Sequence, residues 1–283
     1  MKRILYLFGL ILFASCQEEV YLPLDTIDQQ IPVIEGIWSD KNYYNEVKIS
    51  LAKNYYDTTD RVIIKDADVL VMTPDRYVII PFTFDEKSQS YKNLNPNILA
   101  EIGKDYELHV AWQNNYYVAS GKMLAPPILD SLTYQYQEER FLYDEGYYIK
   151  AYGKIPFEED NYYRIRIIEN DSLKNDRDDY LLFDDTFGFS FFEDGLELGY
   201  AFEAEDVVRM ELFRMNKEIY NYFTQMVGLL YNDGGLFSPP PQNPDSNIKV
   251  QQGGGEVLGY FMVTPIISET VRIEVEDPET ENQ

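Results

Sequence analysis

Few side chains in this 283-residue sequence are chemically suited to nucleophilic or metal-based catalysis. There is one Cys, Cys16, and one His, His109. A single Cys excludes an intramolecular disulfide and a cysteine-based metal site, and a single His excludes a multi-histidine metal site. His109 falls in residues 106–110, which alternate between apolar and polar as a strand does. We therefore interpret His109 as part of a sheet face rather than as a catalytic base.

Carboxylates are the most abundant polar groups, with 49 Asp and Glu residues. Two carboxylates near one sugar bond are sufficient for glycoside hydrolysis, but so many acidic residues form such pairs by chance. The sequence contains no G-x-S-x-G, no H-E-x-x-H and no phosphate-binding glycine loop. We therefore predict a protein that is not an enzyme and has no catalytic residues.

Residues 169–206 are the most acidic stretch, with 13 acidic and 2 basic residues. Calcium binds six to eight oxygen ligands, so clustered acids are weak candidates for its ligands. These candidates are Asp176, Asp178, Asp179, Asp184 and Asp185. EF-hand spacing is absent, and a solvated acidic loop is the preferred interpretation. We expect no metal and no cofactor other than a covalent lipid.

The amino terminus has the pattern of an export signal. Lys2 and Arg3 precede an apolar run over residues 4–14, which is too short to span a bilayer, since that needs about 20 residues. The following Phe13-Ala14-Ser15-Cys16 resembles the lipobox of bacterial lipoproteins. This resemblance implies that residues 1–15 are removed and that Cys16 is acylated. An ordinary secretory peptide with an incidental Cys is the alternative.

The three residues after Cys16 are Gln17, Glu18 and Glu19. They resemble the acidic surface-export tag of Bacteroidota lipoproteins, which implies a body on the cell exterior. A solvated acidic start of the mature chain is the alternative. Because more than one acyl chain is needed for stable anchoring, a mature lipoprotein with several chains would stay attached to its membrane.

The overall charge narrows the choice of partners. Lys and Arg number 24 against 49 Asp and Glu, which gives a net charge of −25. A nucleic-acid binder normally has a basic face, and adhesion to anionic lipid normally uses clustered Lys and Arg. We therefore expect no nucleic-acid partner, and membrane attachment through the lipid anchor alone.

The remaining chain predicts a mainly β fold with two domains. Residues 16–32 read as a lipidated tether, and residues 33–125 contain short alternating strands that suggest an immunoglobulin-like sandwich. A Pro pair at 126–127 predicts a boundary, after which residues 126–283 form an acidic, β-rich domain. The one prominent helix is predicted near residues 216–231, with its apolar stripe packed on the second sheet. A final strand is predicted at 271–275.

A proline-rich loop follows the helix. Its stiff, partly apolar sequence makes it a candidate for contact with a partner, because a preorganised segment loses little entropy on binding. The candidate contact residues are Tyr231, Phe237, Pro239, Pro240 and Pro241. A rigid connector packed on its own domain is the alternative.

Several short motifs together resemble one family. They include Val33-Ile34-Glu35-Gly36, Asp66-Ala67-Asp68-Val69 and Leu258-Gly259-Tyr260-Phe261, in addition to the lipobox. The chain is similar to the DUF4249 family of Bacteroidota outer-membrane surface lipoproteins. This resemblance implies a protein that works beside an outer-membrane β-barrel, often a TonB-dependent transporter, and it supplies no catalytic residues.

The sequence thus predicts a non-catalytic accessory subunit of an outer-membrane β-barrel. A lid or co-receptor of a TonB-dependent transporter is the first interpretation. An accessory subunit of an outer-membrane protein assembly or secretion complex is the second, and a stand-alone surface glycan-binding lipoprotein is the third.

Overall fold

The computed structural model describes residues 30–54, 57–141, 143–184, 190–232 and 241–274. Over these residues the chain is mainly β with one long helix, and the predicted fold class is confirmed. No helix in these ranges is long and apolar enough to cross a membrane.

The elements follow in chain order. The strands are β1 (Pro32–Ser39), β2 (Glu46–Leu51), β3 (Asp68–Met72), β4 (Ile79–Asp85), β5 (Ser90–Asn93), β6 (Asp105–Trp112), β7 (Asn115–Lys122), β8 (Ile128–Gln137), β9 (Gly146–Lys154), β10 (Tyr162–Glu169), β11 (Ser172–Leu173), β12 (Leu181–Asp184), β13 (Leu196–Glu197), β14 (Val207–Met215), β15 (Lys249–Gln252), β16 (Leu258–Thr264) and β17 (Ile266–Arg272). The helices are α1 (Ser190–Glu193) and α2 (Lys217–Leu230).

Nine strands form the first sheet, in the order β15-β7-β6-β3-β4-β5-β2-β1-β16. The sheet curls until β7 approaches β16, so closely that a Cβ added at Gly121 would lie 2.8 Å from Val263 Cγ2. Asn247 connects the two edge strands of this sheet, β15 and β16. It lies just before β15, and its side chain exchanges two hydrogen bonds of 2.9 Å with the backbone of Phe261 in β16. The curled sheet encloses a core around Trp38, in agreement with the predicted sandwich character.

Two smaller sheets pack face to face. One has the order β11-β10-β14-β17, with β12 also paired to β10, and the other has the order β13-β9-β8. Their facing sides bury a shared core that includes Ile149, Tyr163, Phe202 and Met210. The opposite side of the β10–β14 sheet faces the first sheet and α2.

Helix α2 lies between the two sheet systems. It is preceded by Asn216 and buries Ile219, Tyr222 and Phe223, as its apolar periodicity predicts. These residues pack with Phe213 of the second sheet and Tyr260 of the first. The predicted helix is confirmed, but its apolar stripe contacts both sheets rather than the second alone.

Three boundaries differ from the sequence-based predictions. Pro32, assigned to the tether, opens β1, because a Pro is tolerated at the first position of a strand. The last strand is β17, which begins directly after Pro265, and residues 273–274 are not strand. The division after residue 125 does not separate the sheets, because β15 and β16 return to the first sheet and β16 pairs in parallel with β1.

Strand directions define two ends of the first sheet. The entry end is where β1 begins, beside the connections 52–67, 86–89 and 113–114. The junction end is where β1 finishes, and it contains the β1–β2 turn and the connections 73–78 and 94–104. The chain passes to the second pair of sheets from this junction end, after β7 and again after β16.

Candidate functional site

Arginine side chains gather on one face of the second sheet. Strands β10 and β14 are antiparallel, and Arg166 lies directly opposite Glu211. Arg164 and Arg209 are two residues away from these on their own strands, and alternate residues of a strand project from the same face. The register therefore places three arginines and one glutamate together, on the side that faces the first sheet.

Glu211 is the centre of this group and is only 1% exposed. The hydroxyl of Tyr44, from the β1–β2 turn, donates a hydrogen bond to its Oε1. Arg209 Nε lies 3.3 Å from the same oxygen, and Arg166 Nε lies 3.5 Å from Oε2. Both Glu211 Oε2 and Arg166 Nε are buried without a hydrogen-bond partner. This carboxylate thus connects the first sheet to the second, and its oxygens are incompletely satisfied.

Positive charge exceeds negative charge at this junction. In the described part of the chain, Arg164 has no ion-pair partner, and its Cζ lies 4.8 Å and 4.7 Å from the ring centroids of Tyr180 and Phe223. Burial lowers the pKa of Arg164, and the charge of Arg166 adds to this effect. An arginine nevertheless stays protonated in proteins, so three guanidinium charges face one carboxylate. We name Tyr44, Arg164, Arg166, Arg209 and Glu211 the junction site.

The four calcium candidates that the structure describes do not form a metal site. Asp176 and Asp179 close a single turn of 3₁₀ helix, in which Asp176 N–H donates to Asp179 Oδ2 at 2.7 Å. Within the described residues, no three His, Cys, Asp or Glu side chains are arranged to hold a metal ion. Asp185 lies outside those residues.

Tyrosine hydroxyls bind several of the acids instead. The hydroxyl of Tyr231 donates to Asp178, and that of Tyr220 is hydrogen-bonded to Asp184. Burial raises the pKa of Tyr220 to about 12, and the Asp184 charge adds to this shift. Burial also raises the pKa of Tyr222 to about 12.

Because the pKa values of Tyr220 and Tyr222 are raised in the folded chain, we expect the protein to lose stability at alkaline pH. Tyrosines of the unfolded chain ionise near pH 10, whereas Tyr222 keeps its proton to about pH 12 in the folded chain. The unfolded state therefore binds fewer protons above pH 10, and each such tyrosine lowers the unfolding free energy by up to about 1.4 kcal/mol per pH unit. Urea unfolding from pH 8 to about pH 11 should show constant stability and then a decline. Tyr222→Phe should reduce the slope of the decline, and equal slopes for both proteins would contradict this role.

His109 binds its neighbours through both ring nitrogens. Nδ1 lies 2.6 Å from the Tyr116 hydroxyl and Nε2 lies 3.0 Å from Glu107 Oε2. The residue is 8% exposed on strand β6. This arrangement suits the sheet-face role predicted for His109.

The predicted partner-contact residues are only partly described. Tyr231 is half-exposed at the end of α2 and Pro241 is half-buried, whereas Phe237, Pro239 and Pro240 lie outside the described residues. Farther along, Asp245 is fixed to α2 by two hydrogen bonds with Gln225, of 2.7 and 2.8 Å. The proposed lipid and export residues Cys16, Gln17, Glu18 and Glu19 also lie outside the described residues.

A cleft of about 260 Å³ lies at the entry end. Val33 and Leu51 line it from the first sheet, Tyr222 from α2, and Asn243 and Pro244 from the chain after the proline-rich loop. The segment that leaves this loop is therefore close to the start of β1.

Large apolar side chains are exposed at the junction end. Tyr77 is 89% exposed, Leu94 66% and Ile102 61%, and all three lie in connections at this end. Sequence reasoning did not single these residues out, because their exposure depends on how the connections lie against the sheet.

Sequence reasoning also missed the junction site. The available signal was the alternation of Arg164 with Arg166 and of Arg209 with Glu211 inside apolar strands, within a domain that is otherwise strongly acidic. Only the β10–β14 register brings the two pairs together.

Comparison with protein families places most of the chain in one of them. A family model described as "Domain of unknown function (DUF4249)" matches residues 17–270. Comparison with curated proteins gives no match.

Proposed function

Since the chain belongs to the DUF4249 family, we propose that it is a surface-exposed outer-membrane lipoprotein and a non-catalytic accessory subunit of an outer-membrane β-barrel. In this proposal, Cys16 bears the lipid and Gln17, Glu18 and Glu19 direct the body to the cell exterior. The partner is a TonB-dependent transporter, for which the protein acts as a lid or co-receptor.

The placement of Asn243 and Pro244, which follow the undescribed part of the loop after α2, is the observation that supports this proposal. Asn243 and Pro244 line the entry-end cleft together with Val33. Val33 is only three residues after Gln30, the first residue that the structure describes. An extended chain spans at most about 3.6 Å per residue, so a lipid on Cys16 would lie within about 50 Å of Gln30. Asn243 and Pro244 therefore lie at the end of the molecule that its anchor would hold near the membrane, where a barrel in the same membrane is within reach.

Site-specific photo-crosslinking tests this contact. A photoreactive residue in place of exposed Asn243 should crosslink to a β-barrel protein in intact outer membranes. The matched control replaces Lys122, which is exposed at the end of β7 and therefore at the junction end, and it should give little of the same product. The partner is identified by mass spectrometry of the crosslinked band.

The outcomes separate the candidate functions. A TonB-dependent transporter crosslinked from position 243 supports the lid or co-receptor role. A component of an outer-membrane assembly or secretion complex would replace that role with the second interpretation. If neither position crosslinks to any barrel, the accessory-subunit proposal is wrong, and glycan binding becomes the function to test.

A further inference from the structure

We propose that the junction site binds the carboxylate of an organic acid between Arg166 and Arg209. This inference is independent of the barrel partner, because it depends only on side chains within the chain. Neither the family description nor the lipoprotein proposal assigns a ligand to this place.

Unused hydrogen-bond donors are the first reason. Arg166 and Arg209 both approach Glu211 through Nε. In the described part of the chain, their terminal amino groups have no hydrogen-bond partner, although a guanidinium has five N–H donors. The two side chains are 23% and 42% exposed, so a small ligand can reach them from solvent.

The local charge is the second reason. Three guanidinium groups face one carboxylate, and β17, the strand beside β14, adds no acid to this face. Strand β17 places Ser268 opposite Glu211 and Thr270 opposite Arg209, and both are exposed. A second carboxylate would offset part of the excess positive charge, and the two hydroxyls offer it further hydrogen bonds.

The surroundings favour an organic acid over a phosphate or an anionic membrane. The net charge is −25, and residues 169–206, from the last residue of β10 to the residue before β14, contain 13 acidic residues. A dianion or a lipid surface meets stronger repulsion from these acids than a single carboxylate does. The Tyr43 ring, 83% exposed and 6.3 Å from the Tyr44 ring, provides an apolar surface for the carbon skeleton.

Calorimetric titration of the full chain in detergent with phenylacetate tests the proposal, and inorganic phosphate is titrated in parallel. Phenylacetate combines one carboxylate with an aromatic ring. We expect a Kd of about 1 mM for phenylacetate and weaker binding of phosphate. Arg209→Gln should weaken phenylacetate binding by about tenfold or more, because it removes a charged donor.

Two further variants make the result specific. Arg209→Lys keeps the charge but loses the planar fork, so it should also weaken binding. Arg272→Gln is the control, because Arg272 lies on the same sheet but is paired with Glu205. Its affinity should match that of the unmodified protein.

Three results would overturn the proposal. They are the absence of phenylacetate binding, equal affinity in the Arg209→Gln protein, and tighter binding of phosphate than of phenylacetate. Arg209 is partly exposed, so Arg209→Gln should fold, and circular dichroism of each variant confirms that a lost affinity is not lost structure.

Discussion

Replacing Glu211 with alanine is expected to lower the free energy of unfolding by about 3–5 kcal/mol. The side chain is 1% exposed and pairs with Arg166, Arg209 and the Tyr44 hydroxyl. Its removal leaves guanidinium groups at the junction without their carboxylate, and breaking a buried pair costs more than breaking an exposed one. Urea unfolding at neutral pH measures the difference.

Glu269→Gln is the matched control for this prediction. Glu269 is exposed on β17, the neighbouring strand of the same sheet, and it should change stability by less than about 0.5 kcal/mol. Tyr44→Phe removes only the hydroxyl that reaches Glu211 across the two sheet systems, and it should cost about 1–3 kcal/mol. A Glu211→Ala protein as stable as the control would show that the junction charges are already solvated.

The stability of the junction and its ligand binding are separable. Glu211 neutralises part of the charge that the proposed ligand would also neutralise. Arg209→Gln removes one of the excess positive charges, so it should lose affinity for phenylacetate without the large loss of stability expected for Glu211→Ala. The two variants thus distinguish a structural ion pair from a binding site.

Two local patterns predicted their elements correctly. The alternation around His109 corresponds to β6, and the apolar periodicity after Asn216 corresponds to α2. Both patterns arise from burial of one face of one element, which a sequence records directly. The mainly β fold follows from the number of such strands.

Long-range pairing is what the sequence could not provide. Strand β16 pairs in parallel with β1 across more than 200 residues, and no local pattern specifies that partner. Gly259 is a residue whose type reflects this pairing. It has φ +100°, and an added Cβ would lie 2.0 Å from the backbone oxygen of Ile34. A close approach of two backbones explains why a glycine stands within this apolar strand.

The high content of tyrosine also has a structural explanation that composition alone does not give. The chain has 25 tyrosines and 49 acidic residues but only 24 Lys and Arg. Tyr44, Tyr220 and Tyr231 each bring a hydroxyl to a carboxylate. Tyrosine thus provides hydrogen-bond donors to acids where lysine and arginine are scarce, and the acids predicted as calcium candidates are partly satisfied in this way.

Replacing Cys16 with alanine is expected to shift nearly all of the protein from the membrane fraction to the soluble fraction. Acyl chains bind a bilayer through burial of about 0.8 kcal/mol per methylene, and Cys16 is the one cysteine of the chain. No helix of the described residues is long and apolar enough to cross a membrane, and a net charge of −25 opposes adhesion to anionic lipid. Mass spectrometry should detect lipid on the unmodified protein and none on Cys16→Ala.

A second variant separates anchoring from surface exposure. Glu18→Ala combined with Glu19→Ala leaves Cys16 intact, so this protein should remain in the membrane fraction. If the acidic residues act as an export tag, a protease added to intact cells should digest the unmodified protein but not this variant. Equal digestion would remove the tag interpretation and leave a solvated acidic start. Absence of lipid from the unmodified protein would refute the lipid anchor itself, because Cys16 is the one cysteine of the chain that could carry it.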